Sequence, residues 1–301
     1  MSRNQTVKTT KLFPVERIWG YQLHLGTSDW MSLPKILWLR EKFLQFLSEH
    51  NIFPSRSEIY QPGYKIHNLY HWECVFARQT DIMKYLTIAL KWLLLNRGEF
   101  PVLCVPLTYN PTITNLSKEA QDQTRSFSLG CYGPINLDYF DNPPIDLVTG
   151  KIIDTRYLNI LAPEQLEEIE RIPLSDLCHP LQTDIENIFA KEIGLYLECH
   201  PDLYDIFKRF LNQSVINYRE QQVGLVDHED LVYNPLFGNV SVKDINFAHQ
   251  IFFQSEYLGL IISWLASNQV ILSARLYLLE QSDITIVIGD FSPFRCRNDF
   301  Y

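Results

Sequence analysis

Glycine is scarce in this chain, 12 residues in 301, where an ordinary protein carries about 7%. Glycine-rich phosphate cradles are missing with it. No G-x-x-x-x-G-K-[ST] motif occurs, and Ile145 stands where the first glycine of that motif would precede Gly150-Lys151. The six cysteines, at 74, 104, 131, 178, 199 and 296, include no C-x-x-C pair, which excludes zinc ribbons and thioredoxin-like redox chemistry. Positive charge is short as well: 26 Lys and Arg against 35 Asp and Glu leave a net charge of −9, which repels phosphate backbones. Nucleic acid is therefore not an expected partner. The most apolar runs, 85–95 and 257–266, fall short of the ~18 residues of a membrane span. No apolar stretch follows the polar segment 1–11, so no secretory signal is expected. Also missing are G-x-S-x-G, H-E-x-x-H and a calcium-loop pattern. Sparse unpaired thiols without a membrane run give the expectation of a cytoplasmic protein with reduced cysteines.

What is present is a rich core: 46% apolar and 13% aromatic residues, at a length that suits two domains of about 150 residues. In the first half, residues 18–25 alternate Tyr21, Leu23 and Leu25 against Gln22 and His24, a half-buried strand. Residues 33–50 place apolar side chains at helical spacing, with Pro34 in the first turn. A short strand is expected at 58–60 and a turn at Pro62-Gly63. A strand at 71–76, a helix over 81–96 ending near Gly98, and a strand over 100–105 follow. The order β-α-β-β-α-β is the split, ferredoxin-like motif. Its first and third strands are antiparallel neighbours, so Gln22, His24, His71 and Glu73 are expected to share the sheet face that the helices leave open.

Beyond the polar stretch 138–144, helices are expected over 163–171, 184–197, 201–213 and 257–267, with strands at 247–253, 270–279 and 284–288. YLTIALKWLLLN at 85–96 is echoed by YLGLIISWLASN at 257–268, with Tyr-Leu, Trp-Leu and Asn at the same offsets. Two readings stay open: two similar amphipathic helices, or a diverged second copy of the first unit. The expected fold is α+β, with a ferredoxin-like domain over 15–142 and a C-terminal α/β part over 143–301. A helix at 184–197 speaks against duplication, since a strict copy needs a strand at 193–199.

Histidine carries the chemistry. His24, His67 and His71 fall in the two facing strand regions, and Glu73 lies beside His71. Two imidazoles and a carboxylate form the ligand set of non-haem Fe(II) oxygenases, although histidines on a sheet face also serve as solvent or interface residues. Cys178-His179-Pro180 and Cys199-His200-Pro201 read as helix openings rather than nucleophile–base pairs. Asp227-His228-Glu229-Asp230 reads as a solvated acidic turn.

Over 17–142 the chain resembles the DOPA 4,5-dioxygenase family. Tyr21-Gln22-Leu23-His24-Leu25 stands for the family's Y-H-x-H-I, and the stretch from His67 to Val75 for its G-P-H-P-x-x-M-F/W-E/Q-V. Trp92-Leu93, Asn96-Arg97-Gly98, Val102-Leu103 and Pro106-Leu107-Thr108 match W-L-x-x-N-R-G-x-L-x-V-L-V-H-P-x-T. Asp122-Gln123 and Leu129-Gly130 echo the closing D-H and L-G. Three family histidines are replaced, by Gln22, Val105 and Gln123. The resemblance implies a ferredoxin-like enzyme that opens catechol or other phenolic rings with Fe(II) and dioxygen. His24 and His67 are then the expected metal ligands. His71 and Glu73 are the expected catalytic pair, one as third ligand and the other as acid–base. Gln22 and Arg97 are expected to bind substrate. A binding module on the same scaffold, and a natural-product tailoring enzyme, are the alternatives. The partners expected are a small aromatic substrate and dioxygen, with the chain a monomeric pseudo-dimer or a homodimer.

Overall fold

The computed structural model describes residues 15–27, 32–60, 70–77, 81–98, 100, 102–107, 127–129, 164, 167, 181–199, 201–224, 232–234, 238–240, 247–268, 272–279 and 281–288. The first unit runs β1 (Gly20–Thr27), α1 (Leu33–Glu49), β2 (Arg56–Tyr60), β3 (Tyr70–Ala77), α2 (Ile82–Asn96), β4 (Val102–Leu107) and β5 (Phe127–Leu129). After the short α3 (Ile185–Ile188) come β6 (Glu192–Cys199), α4 (Pro201–Gln213) and β7 (Tyr218–Gly224). A small hairpin follows, β8 (Val232–Asn234) with β9 (Gly238–Val240). The second unit ends in β10 (Phe247–Gln254), α5 (Leu258–Ser267), β11 (Leu272–Leu278) and β12 (Gln281–Ile288).

The main sheet has ten strands in the order β2-β3-β1-β4-β5-β12-β11-β6-β10-β7. Read from either edge, the order is the same. The first unit is ferredoxin-like, and the second repeats its strand order, β7-β10-β6-β11 answering β2-β3-β1-β4. The fold is α+β, and the fifth strand of each unit closes the seam, with Ile286 paired to Leu129 and Val287 to Ser128.

The expected helix over 184–197 is not formed; α3 covers only Ile185–Ile188, and β6 takes Glu192–Cys199. The reason is arithmetic. Ile185, Phe189, Ile193 and Leu197 are spaced by four, which satisfies a helical stripe, but four is also even. Ile193, Leu195, Leu197 and Cys199 therefore line one face of a strand, and all are buried. With β6 in place, the objection to a repeated topology disappears. The strand β7 has no sequence expectation behind it: as an edge strand it reads YREQQVG, without apolar alternation. Residues 163–171 lie almost wholly outside the described residues, as does the boundary at 142.

One hydrophobic core runs through both units. Tyr21, Leu23, Leu25, Trp72 and Phe76 of the first sheet half meet Phe43 and Trp92 of α1 and α2. Ile193, Leu195, Ile251 and Phe253 meet Phe207 and Trp264 of α4 and α5. α2 and α5 pack on each other near the pseudo-two-fold axis. There the Thr87 hydroxyl donates to the Met83 carbonyl (3.0 Å) and accepts the Gly259 N–H (2.9 Å). A β-carbon at Gly259 would collide with the Met83 carbonyl, so this glycine sets how closely the helices approach. The echoed asparagines repeat one bond: the Asn96 amide donates to the Trp92 carbonyl (3.1 Å), and that of Asn268 to the Trp264 carbonyl (2.8 Å). Asn96 also clasps the backbone of Gln182 at both its N–H (2.7 Å) and its carbonyl (3.3 Å), tying the approach to the second unit onto α2.

Among the described residues no helix is long and apolar enough to cross a membrane. Cys74, Cys104 and Cys199 are free thiols. Burial pushes the Cys199 thiol up to about 12, so at neutral pH it behaves as an apolar group.

Candidate active face of the first unit

Alternation along β1 and β3 sends Tyr21, Leu23, Leu25, Trp72, Cys74 and Phe76 into the helix-covered core. Gln22, His24, His71 and Glu73 go to the opposite face. Register then places His24 directly across from Glu73, with the His24 Nδ1 3.9 Å from Glu73 Oε2. The His24 and His71 rings lie 5.7 Å apart, tilted by 39°. Gln22 is one step along the same face, flanked by Val75 on β3 and Val105 on β4. His67 lies outside the described residues. Arg97 is not part of this group: it caps the end of α2 and donates to the Phe100 carbonyl (2.8 Å) in the turn leading to β4.

The expected polar, open surface is instead a buried cluster. His24 is 8% exposed, His71 4% and Glu73 1%. What buries them includes three residues that sequence reasoning passed over, all from β2. Arg56, Glu58 and Tyr60 alternate with Ser57 and Ile59, and β2 pairs with β3 so that Glu58 faces Glu73 and Tyr60 faces His71. Arg56 forms an ion pair with Glu73, and its Nε stands 3.8 Å from Glu58 Oε2. The Tyr60 ring stacks on His71, with centroids 4.9 Å apart and planes 11° off parallel. Its hydroxyl donates to Glu58 Oε2 at 2.6 Å and lies 3.4 Å from Glu73 Oε1. Burial, and then the Glu73 and Glu58 charges, hold the Tyr60 phenol protonated at all ordinary pH. The period-two spacing of R-S-E-I-Y was the available signal. It went unread because a strand at 58–60 alone leaves Arg56 out.

The electrostatics follow from this wiring. A carboxylate as buried as Glu73 needs a cation, and Arg56 supplies it through a fixed guanidinium. Glu73 is thus engaged on one oxygen by Arg56 and sits beside His24 with the other. A carboxylate placed behind an imidazole sets that ring's tautomer and direction. Two side-by-side imidazoles suit a borderline divalent metal such as Fe(II), and His24 and His71 fit that chemistry. Glu73 fits better as the group that orients His24 than as a ligand. Among the described residues no three His, Cys, Asp or Glu side chains are gathered to hold a metal ion. A complete site needs a further donor. Val105, across from Gln22 on β4, is a buried aliphatic side chain and offers none.

Elsewhere the structure bears on one further sequence motif. Cys199 ends β6 and Pro201 opens α4, a helix start. Cys178-His179-Pro180 and the acidic turn 227–230 lie outside the described residues.

The fold and this face define the chain as an α+β protein in which a ferredoxin-like strand order occurs twice, with a buried His-His-Glu-Arg-Tyr cluster, among the described residues, on the first unit. No family model matches it, and no curated protein matches it. Among solved structures it is similar to the crystal structure of a candidate dioxygenase from Nostoc punctiforme. The likeness covers 42% of this chain and 95% of that one, at 20% sequence identity and a TM-score of 0.28.

Proposed function

We propose that the chain is a dioxygenase-like enzyme whose first unit acts on a small phenolic molecule of catechol type. The observation that carries this reading is the buried pair of His24 and His71 with Glu73 fixed behind His24 by Arg56. Solvated surface histidines need no such support. Iron would be held by His24 and His71 together with His67, and when bound it supplies a meeting point for the phenolic oxygens and dioxygen. Both oxygen atoms end in the ring-opened product, so no external reductant is required.

The chain's own residues carry the rest. Glu73 stands beside His24 and limits how its ring can turn, and Arg56 pairs with Glu73 and holds it in place. Tyr60 holds His71 flat against its ring, fixing the direction of its nitrogen. Gln22 presents an amide to the substrate. Arg97, whose guanidinium donates to the Phe100 carbonyl, steadies the α2–β4 turn.

The test is iron content and oxygen uptake with catechol. Freshly purified, Fe(II)-loaded chain should retain about one iron and consume dioxygen. His71→Ala should abolish retention, whereas Glu73→Ala should weaken it by about 10- to 100-fold, the usual effect of losing an outer-shell partner. A wild-type chain that neither retains iron nor consumes dioxygen would sink the enzyme reading. The second reading, a binding module, would then stand, favoured by Val105 in place of a donor.

A further inference from the structure

In the second unit the equivalent face is occupied from within. Register makes Gly194 the counterpart of Gln22, Tyr196 of His24, Gln250 of Glu73 and Tyr277 of Val105. Tyr277, from β11, stands directly across from Gly194. Its ring reaches over β6, so that a β-carbon at Gly194 would collide with its Cζ, Cε2 and hydroxyl oxygen. Gly194 has no unusual backbone angle, so the glycine is there for space. Having crossed β6, the Tyr277 hydroxyl accepts a hydrogen bond from the Gln250 amide on β10. A phenol is therefore seated on the second unit's open face, with its oxygen beside Gln250, the residue that stands where the first unit has Glu73.

The first unit lacks this ring. Val105 is too short to cross β1, and the amide of Gln22, a partly buried residue, has no hydrogen-bond partner among the described residues. We infer that Tyr277 is an internal phenol ligand. It closes in the second unit the place where the first unit takes the hydroxyl-bearing ring of its substrate, so the chain holds one phenol site rather than two. The inference rests on the reading of the first unit's face as the ligand site. It adds the pose: the ring lies beside Val105 and over Gln22, with its hydroxyl toward Glu73. A carboxylate there only accepts, whereas the Gln250 amide donates. The first unit thus selects a ligand that still carries its hydroxyl proton.

The test uses p-cresol, the free form of the tyrosine side chain, with metal-free full-length protein, and counts bound molecules by calorimetry and ligand-observed NMR. Wild type should bind one p-cresol per chain. Tyr277→Ala should bind two, the second filling the vacated place. Gln22→Gly combined with Val105→Tyr moves the plug into the first unit and should weaken the wild-type site at least tenfold. Two sites in wild type, no added site in Tyr277→Ala, or unchanged binding in the plugged variant would each overturn it. Thermal midpoints of the variants check folding, and if the double variant does not fold, the count for Tyr277→Ala alone decides. Iron retention and oxygen uptake read the function proposed above and p-cresol counts read this one, so either can fail alone.

Discussion

The two units share a strand order and almost nothing on their open faces. Where the first has His24, Glu73 and Glu58, the second has Tyr196, Gln250 and Gln221. Arginine alone is kept, and its use differs. Arg56 pairs with the buried Glu73, while Arg219 pairs with Glu192 at 2.7 Å and lies over the Phe252 ring at 3.7 Å. On the helix side the contrast runs the other way. Between α1 and the edge strand, the first unit has a non-titrating set: Ser57 accepts from Arg40 (3.2 Å) and from the Trp72 indole (2.9 Å). The second has Tyr204 stacked on His249, Glu220 3.6 Å from His249, and Lys208 3.0 Å from Glu220. A duplicated fold is thus held by its core and its seam, and each buried polar place can be refilled by any set that satisfies itself. The first unit gathers its buried ionisable cluster on the face away from its helices. The second places a titratable pair, His249 and Glu220, beneath its helices.

The largest test of this comparison strikes the seam that both units share. Gly259→Ala forces α5 away from the Met83 carbonyl and should cost about 2–3 kcal/mol by denaturant unfolding, the range of an overpacked core. The equivalent position, Thr87, carries a side chain, so Thr87→Ala adds no clash and should cost only the two bonds of its hydroxyl, to the Met83 carbonyl and from the Gly259 N–H, about 1 kcal/mol.

Next come the matched polar positions. Glu73→Gln imports the second unit's residue and removes the buried one of the two carboxylates beside Arg56, leaving Glu58 at 3.8 Å. Breaking a fully buried pair costs about 3–5 kcal/mol. The Arg56 side chain is 23% exposed, so about 2 kcal/mol is expected. Gln250→Ala, losing one neutral bond, should cost about 1 kcal/mol. Equal losses at the two positions would erase the difference drawn here.

A smaller effect separates the units by pH. Burial lowers the His249 pKa below its ordinary 6.5, with Lys208 adding to this and Glu220 and Asp205 opposing it. Below pH 6.5 the unfolded chain binds a proton that the folded chain refuses, so stability falls as pH drops from 6.5 toward the folded value. For Glu220 burial acts upward, but the Tyr204 hydroxyl, the Lys208 ammonium and His249 outweigh it and the net shift is down. Its contribution holds above pH 4.5 and is lost only as pH falls through the folded value. Urea midpoints should therefore decline between pH 7 and 5, and His249→Trp, the first unit's residue, should flatten that part of the profile.

The smallest effect is a gain. α1 and α4 end in the same way: the Ile52 N–H bonds to the Leu47 carbonyl and the Ile216 N–H to that of Leu211, with the preceding residue left-handed. In the first unit that residue is Asn51, which tolerates the conformation. In the second it is Val215, with φ 56, 79% exposed and β-branched. Val215→Gly should raise stability by about 1 kcal/mol, read as a higher urea midpoint.

Where apolar periodicity had one solution, the fold was legible: the strands β1 to β4 and both long helices of the first unit follow their patterns to within a few residues, while β5 had no expectation behind it. It failed where two periods coincide, at the four-residue spacing from Ile185 to Leu197. It failed again where an edge strand needs no apolar face, at Tyr218–Gly224. The candidate face was half legible. His24, His71 and Glu73 were placed together by alternation and strand pairing, but their burial was not foreseen. It depends on Arg56 and Tyr60 reaching across from β2, a tertiary fact. A charge on a strand does not announce whether its counter-charge is water or a neighbour.

The pairing of β5 with β12 has a consequence for how the molecule meets anything large. Adjacent strands rotate relative to one another by roughly 20–25°. From β1 to β6 the sheet takes five steps, which accumulate to roughly 100–125°. The joined sheet is therefore a propeller, and the His24 face and the Tyr277 face look out in different directions. No flat surface covers both at once, and a molecule approaching one side of the protein is presented with one of them.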